Sequence, residues 1–304
     1  MTALSLGERT EVQASRVLTS DAASALVGTP VGTTLTPGFK SPRPGTYTAV
    51  VDAETGDDIA YVTRLPEDRR KELRAALLGS DKIMSRQLRG KGAMVGKGAS
   101  FGFMPKRPIA GREACSASIL SGRMPQIQDI LDRLAVDLAE QFAELNRSQF
   151  DADSALLGES ILNDWRLGEK SLWTSGVINQ TTTLPYHRDG NNFDTWSAMP
   201  SIRYGMNGGH LHLPEYDLTL PIGDGDVSWF FGKKVVHGVT PMQPRPGKKD
   251  TAYRYTCVFY ALQGMKNCRT YAEETTQAAA RRTERERRMA AEAREQLGLN
   301  KEQA

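Results

Sequence analysis

The run Tyr186-His187-Arg188-Asp189-Gly190-Asn191-Asn192 holds an imidazole and a carboxylate two residues apart, and Val236-His237-Gly238-Val239 adds a second imidazole 48 residues after Asp189. Two neutral imidazoles and one carboxylate are the donor set that holds one face of a non-haem Fe(II) ion. They leave the other positions open for a cosubstrate and O₂. In an extended segment His187 and Asp189 point to the same side, so a second strand returning His237 completes the set. With four His in 304 residues the His-x-Asp triplet alone is a weak signal, and its surroundings must decide.

Those surroundings read as short strands. Residues 171–179 are apolar and β-rich, and three threonines then lead to the His-x-Asp turn. Gly208-Gly209 opens an alternating run to Tyr216; Leu218, Leu220 and Ile222 alternate again; Gly225-Asp226 turns into Val227-Ser228-Trp229-Phe230-Phe231. Residues 234–239 carry His237, and 253–262 form a last β-branched and aromatic run. Short strands divided by Gly, Pro and Asp turns predict an antiparallel barrel. The expected fold is mainly β with flanking helices (α+β). Residues 171–271 are expected to form a double-stranded β-helix, a jelly-roll, cupin-like core whose mouth holds the metal.

A 2-oxoacid such as 2-oxoglutarate chelates iron through its C1 carboxylate and ketone, so its far carboxylate needs a cation inside the barrel. Arg suits this because its planar fork binds carboxylates bidentately. Arg254 and Thr256 place a guanidinium and a hydroxyl on one strand face, starting 17 residues after His237. Arg245, Lys248 and Lys249 lie in a Pro/Gly-rich loop and read as solvated cations. His210 and His212 share one face of their strand; if it points inward, His212 touches the cosubstrate, and if outward, both are surface residues.

Together, His187-Arg188-Asp189 with Asn192, the Gly208-Gly209-x-Leu-x-Leu-Pro-Glu-Tyr strand, Gly225-Asp226-Val227, His237-Gly238-Val239 and Arg254-x-Thr256 resemble the TET/JBP family. The resemblance covers residues 171–271, about one third of the chain. Members are Fe(II)/2-oxoglutarate dioxygenases that oxidise the 5-methyl group of pyrimidines in DNA. The resemblance implies Fe(II), 2-oxoglutarate and O₂ as cofactor and cosubstrates, and a flipped pyrimidine as substrate. Asn192 stands where such members place an Asn that contacts the base. The Cys-rich zinc-binding region of vertebrate members is missing, which implies a compact bacterial or phage type.

Composition is compatible with that. With 39% hydrophobic and 25% charged residues the chain can bury one substantial core, and a net charge of +3 is only mildly basic. Cys115, Cys257 and Cys268 show no paired spacing, so neither a zinc site nor a disulfide is expected, and a reducing cytoplasm fits. No secretory signal and no run of 18 apolar residues is evident, so a soluble cytoplasmic protein is expected, with no membrane partner.

Residues 1–44 lack periodicity and read as a mobile arm or a loosely packed extension, with residues 45–170 as a supporting β and helical region. Tyr47 to Val51 and Ile59 to Thr63 read as a hairpin, and Pro66 to Leu78 as a short helix. The helix from Gln126 to Asn146 has the clearest stripe: Ile127, Ile130, Leu131, Leu134, Leu138, Phe142 and Leu145. From Lys82 to Arg112 there are eight Lys or Arg and no acid, in a Gly-rich setting read as a loop. Arg89, Lys91 and Lys97 are its candidate phosphate contacts, supplying affinity without sequence information. Residues 272–304 mix seven Lys/Arg with seven Glu and read as a solvated helix.

Two other readings stay open. The dioxygenase could act on a small molecule or a protein side chain, with the basic stretch as a lid. Or the barrel is a non-catalytic nucleic-acid-binding module, which would need neither the triad nor Arg254. Asn191 and Asn192 would also suit a plain turn.

Overall fold

The computed structural model describes residues 6–32, 36–89, 93–107, 109 and 111–297; for 87–89 and 93–95 it describes the backbone alone. Along the chain come β1 (Glu8–Ala14), α1 (Ser20–Ser24), β2 (Thr46–Asp52), β3 (Asp58–Arg64) and α2 (Glu67–Gly79). Then follow β4 (Ser85–Arg89), β5 (Ala93–Met104), β6 (Ser116–Ala117), α3 (Ile119–Arg123), α4 (Pro125–Leu145) and α5 (Arg147–Ser160). The next strands are β7 (Ser175–Gln180), β8 (Ser197–Tyr204), β9 (Met206–Gly208), β10 (Leu211–Leu213) and β11 (Leu218–Leu220). Strands β12 (Asp226–Phe230), β13 (Gly238–Val239), β14 (Met242–Pro244) and β15 (Tyr253–Tyr260) precede the final helix α6 (Tyr271–Gln296).

The major sheet runs β1-β2-β3-β12-β8-β15-β7-β5-β4, with β6 on β5; β11-β10-β13 form a minor sheet and β14-β9 a ribbon. The two sheets face each other around a cavity, the double-stranded β-helix arrangement with helices on the outer face of the major sheet. Strands from both sides of residue 171 share the major sheet.

Alternation sorts each strand between two cores. On β15, Tyr255, Cys257 and Phe259 join the helix-side core, whereas Arg254, Thr256, Val258 and Tyr260 line the cavity. A one-residue slip would exchange the two sets. The apolar stripe of α4 packs on the helix-side face: Leu131, Leu134, Leu138 and Phe142 are buried against Tyr61, Trp173 and Trp229. Phe142 stacks on Trp229 with centroids 5.5 Å apart and planes at 10°. Truncating it to Ala would cost about 3–5 kcal/mol. On the other face Leu211, Leu213 and Leu220 of the minor sheet meet Val50, Ala60, Met199 and Phe230.

Three expectations are corrected. The described part of residues 1–44 is not a free arm, because β1 pairs in parallel with β2 and Thr19 caps α1. The basic Gly-rich stretch is not a loop; most of its described residues belong to strands β4 and β5, paired antiparallel with a bulge between Gln87 and Leu88. Cys115 and Cys268 do form a disulfide, their Cα atoms 5.8 Å apart, although 153 residues separate them. The fold supplies the pairing that local spacing lacks. The charged C-terminal segment is the exposed helix expected; it begins with a Thr270–Glu273 capping box, and near its start Glu274 is buried, accepting from the Cys115 and Arg269 amides. No helix among the described residues is long and apolar enough to cross a membrane.

Candidate metal centre and cosubstrate cavity

His187 lies between β7 and β8, outside any ladder, and is fixed by pairing with His237: each backbone amide donates to the other's carbonyl, at 2.9 and 3.0 Å. The rings then stand 4.3 Å apart by centroid. Each Nδ1 lies against a carbonyl, Pro185 O at 2.8 Å and Val235 O at 2.9 Å. A carbonyl only accepts, so Nδ1 carries the proton in both rings and each Nε2 keeps its lone pair for a metal.

The Asp189 carboxylate completes the set, 3.7 Å from His187 Nε2 and 3.9 Å from His237 Nε2. One ligand atom from each of the three lies within 4.8 Å of the others, a spacing that fits a facial triad around one divalent ion. Gly232 makes the space. Its carbonyl accepts from the Asp189 amide at 3.0 Å, and a Cβ there would stand 2.4 Å from Asp189 Oδ2. The Phe230 ring meets His237 edge-on at 4.9 Å.

Deeper in the same cavity, of about 360 Å³, Arg254 is 1% exposed. Among the described residues its Nε and Nη2 meet no hydrogen-bond partner and no carboxylate pairs with it. Burial, and then the Arg203 charge, push its pKa down. A buried cation without a counterion costs several kcal/mol, so this guanidinium calls for an anion brought in from outside. Thr256, two residues on, is buried on the same wall opposite Asn179.

Asn191 and Asn192 both line the cavity; Asn192 is buried and bridges Leu262, and the Asn191 carbonyl accepts from the Gln263 amide. His212 does not reach the cavity. Leu211 faces inward, so His212 faces away, held by the Tyr186 hydroxyl at 2.7 Å and Asp217 at 3.2 Å. Lys97 sits opposite Gln180 in register and so shares a face with Gln180 and Tyr255, whose side chains bond to each other away from the cavity. Arg89 lies on β4, its side chain outside the described atoms, and Lys91 is outside the described residues. Asn179, Thr182, Ser100 and Tyr260 also line the cavity and were not singled out from sequence. Asn179 stood next to the threonines, but only strand register shows it beside Thr256.

No family model matches the chain, and no curated protein sequence matches it. Among solved structures it is similar to NgTET1 in complex with 5mC DNA, at TM-score 0.54 and 14% identity, over 82% of this chain and 89% of that one. A Pseudomonas putida prolyl-4-hydroxylase aligns at TM-score 0.39 and 13% identity, over 66% and 91%. OsALKBH1 aligns at TM-score 0.38 and 14% identity, over 66% and 96%. The likeness to NgTET1 is one of fold, and it extends well beyond the third of the chain that carries the sequence motifs.

Proposed function

We propose that this chain is an Fe(II)- and 2-oxoglutarate-dependent dioxygenase that hydroxylates the 5-methyl group of a pyrimidine, 5-methylcytosine or thymine, in DNA. The observation that carries the reading is that one cavity holds both a facial triad and a buried guanidinium with no counterion among the described residues. His187, Asp189 and His237 would hold Fe(II), and Arg254 with Thr256 would hold the far carboxylate of 2-oxoglutarate. When bound, the iron supplies the O₂ chemistry.

The chain's own residues do the rest. The Pro185 and Val235 carbonyls keep both imidazoles in the metal-binding tautomer. Val177, Met199, Leu211, Phe230 and Val239 give the cavity an apolar wall beside the metal ligands and Arg254. Asn192 offers an amide to a base edge, and a stacked base must be flipped out to reach it, at a cost of a few kcal/mol. The shared fold with NgTET1, a structure containing 5mC DNA, favours a DNA substrate.

One observation favours a small molecule or a protein side chain instead: Lys97 faces away from the cavity. Mass spectrometry of nucleosides after incubating methylated and unmethylated DNA with protein, Fe(II) and 2-oxoglutarate decides. The DNA reading expects a 5-hydroxymethyl product with matching succinate. Succinate formation without any altered nucleoside moves the substrate outside DNA.

A further inference from the structure

Residues 16–31 run behind every stretch that carries a candidate metal ligand. Arg188, between His187 and Asp189, donates to Ser24 Oγ at 2.8 Å and Ser20 Oγ at 3.1 Å, and stands 3.5 Å from Glu215 Oε1. Glu215 is buried and anchors this corner: Ser20 Oγ donates to it at 3.1 Å and Arg16 reaches it at 3.4 Å. Its carbonyl accepts from the Val17 and Leu18 amides. The Tyr186 amide donates to Thr29 O at 3.0 Å, and the Gly28 amide to Tyr186 O at 2.8 Å. Val31, buried, fills the space beside His237: a Cβ on Gly238 would come 2.3 Å from Val31 Cγ2.

This seam matters because residues 186–189 belong to no ladder. His237 pairs with one edge of the stretch, and residues 28–29 occupy the other. A three-ligand site works only when its ligands are held within about 0.5 Å of productive geometry. We propose that residues 16–31, anchored on Glu215, form a positioning clasp that sets the affinity of the centre for its divalent metal. This rests on the metal-centre reading and on no particular substrate.

The test is cobalt titration of the metal-free protein, read by the visible absorbance of bound Co(II), for wild type, Ser20→Ala/Ser24→Ala, Arg188→Lys and Glu215→Gln. Near-UV circular dichroism checks the fold. The serine pair and Glu215→Gln should raise the Co(II) Kd by about 10–100-fold, the usual effect of removing groups that orient metal ligands. Arg188→Lys, which keeps the charge and loses the fork, should fall between. At saturating metal the 2-oxoglutarate Kd should stay within twofold, because Arg254 is untouched. If Glu215→Gln does not fold, the serine pair decides. Folded variants that bind Co(II) as wild type does overturn the clasp alone. A wild-type chain that binds no Co(II) overturns the metal centre and the clasp with it.

Discussion

His187 and His237 are tied to each other through their own backbones, amide to carbonyl in both directions, before any metal is considered. Two of the three ligands are therefore registered by the fold, and the third is set by the room that Gly232 leaves.

Gly232→Ala should therefore act as a metal-site mutation without touching a ligand. The added Cβ would lie 2.4 Å from Asp189 Oδ2 and 3.1 Å from Phe230 Cε2, so the carboxylate has to move. Metal affinity should fall about 10–100-fold while the melting temperature of the metal-free protein changes little. Asp189→Ala should abolish 2-oxoglutarate turnover with the fold intact. Undiminished succinate formation in Asp189→Ala would remove the triad.

Arg254→Met should have effects of opposite sign on two measurements. The 2-oxoglutarate KM should rise about 100-fold, because charged bidentate contacts are lost. Without 2-oxoglutarate the variant should melt higher than wild type, since a buried cation with no counterion among the described residues has been removed. A lower melting temperature with an unchanged KM would place the anchoring cation elsewhere.

The site was legible where chemistry is carried by residue type and short spacing, as at His187, Asp189 and His237. It was illegible where sheet register decides. Lys97 looked like a phosphate contact, but the bulge at Gln87/Leu88 and the left-handed Gly96 set the faces of β4 and β5 in a way composition does not encode. Strand β8 is not legible in the sequence because Pro200, which cannot donate to a ladder, stands opposite Val227 at the centre of the sheet. The N-terminal segment has no periodic stripe, because it is held by isolated buried residues such as Ala23 and Val31.

His210 should leave a signature in acid. Burial, then the charges of Arg203 and Arg254, lower its pKa to about 4, and its Nδ1 accepts from the Ile222 amide at 3.0 Å. Between about pH 6.5 and 4 the unfolded chain binds a proton there that the folded chain refuses, so this contribution to stability is lost as pH falls. Burial raises Asp132 and Asp153 to about 6, and they push the other way in the same window. The readout is therefore a difference. The stability of wild type minus that of His210→Gln should shrink from pH 7.5 to pH 4.5 in urea melts, and a constant difference would contradict the assignment.

Asn192→Ala should leave overall DNA affinity nearly unchanged and lower turnover about tenfold, the loss of one hydrogen bond formed only after flipping. Lys97→Ala should change DNA affinity by less than twofold, because Lys97 lies on the face away from the cavity. A large salt-dependent loss of binding in Lys97→Ala would show that DNA wraps around the outer face of the sheet.

The Cys115–Cys268 bond closes the chain from β6 to the last turn before α6 into a covalent ring. Every candidate metal ligand, Arg254 and both asparagines belong to that ring. A protease that cuts the exposed turn at residues 245–251 would leave two fragments still joined through sulfur. The nicked protein would migrate as one species on a gel until a thiol is added. The three metal ligands on one side of the cut and Arg254 on the other would remain tethered, so oxidised material should tolerate nicking that reduced material does not.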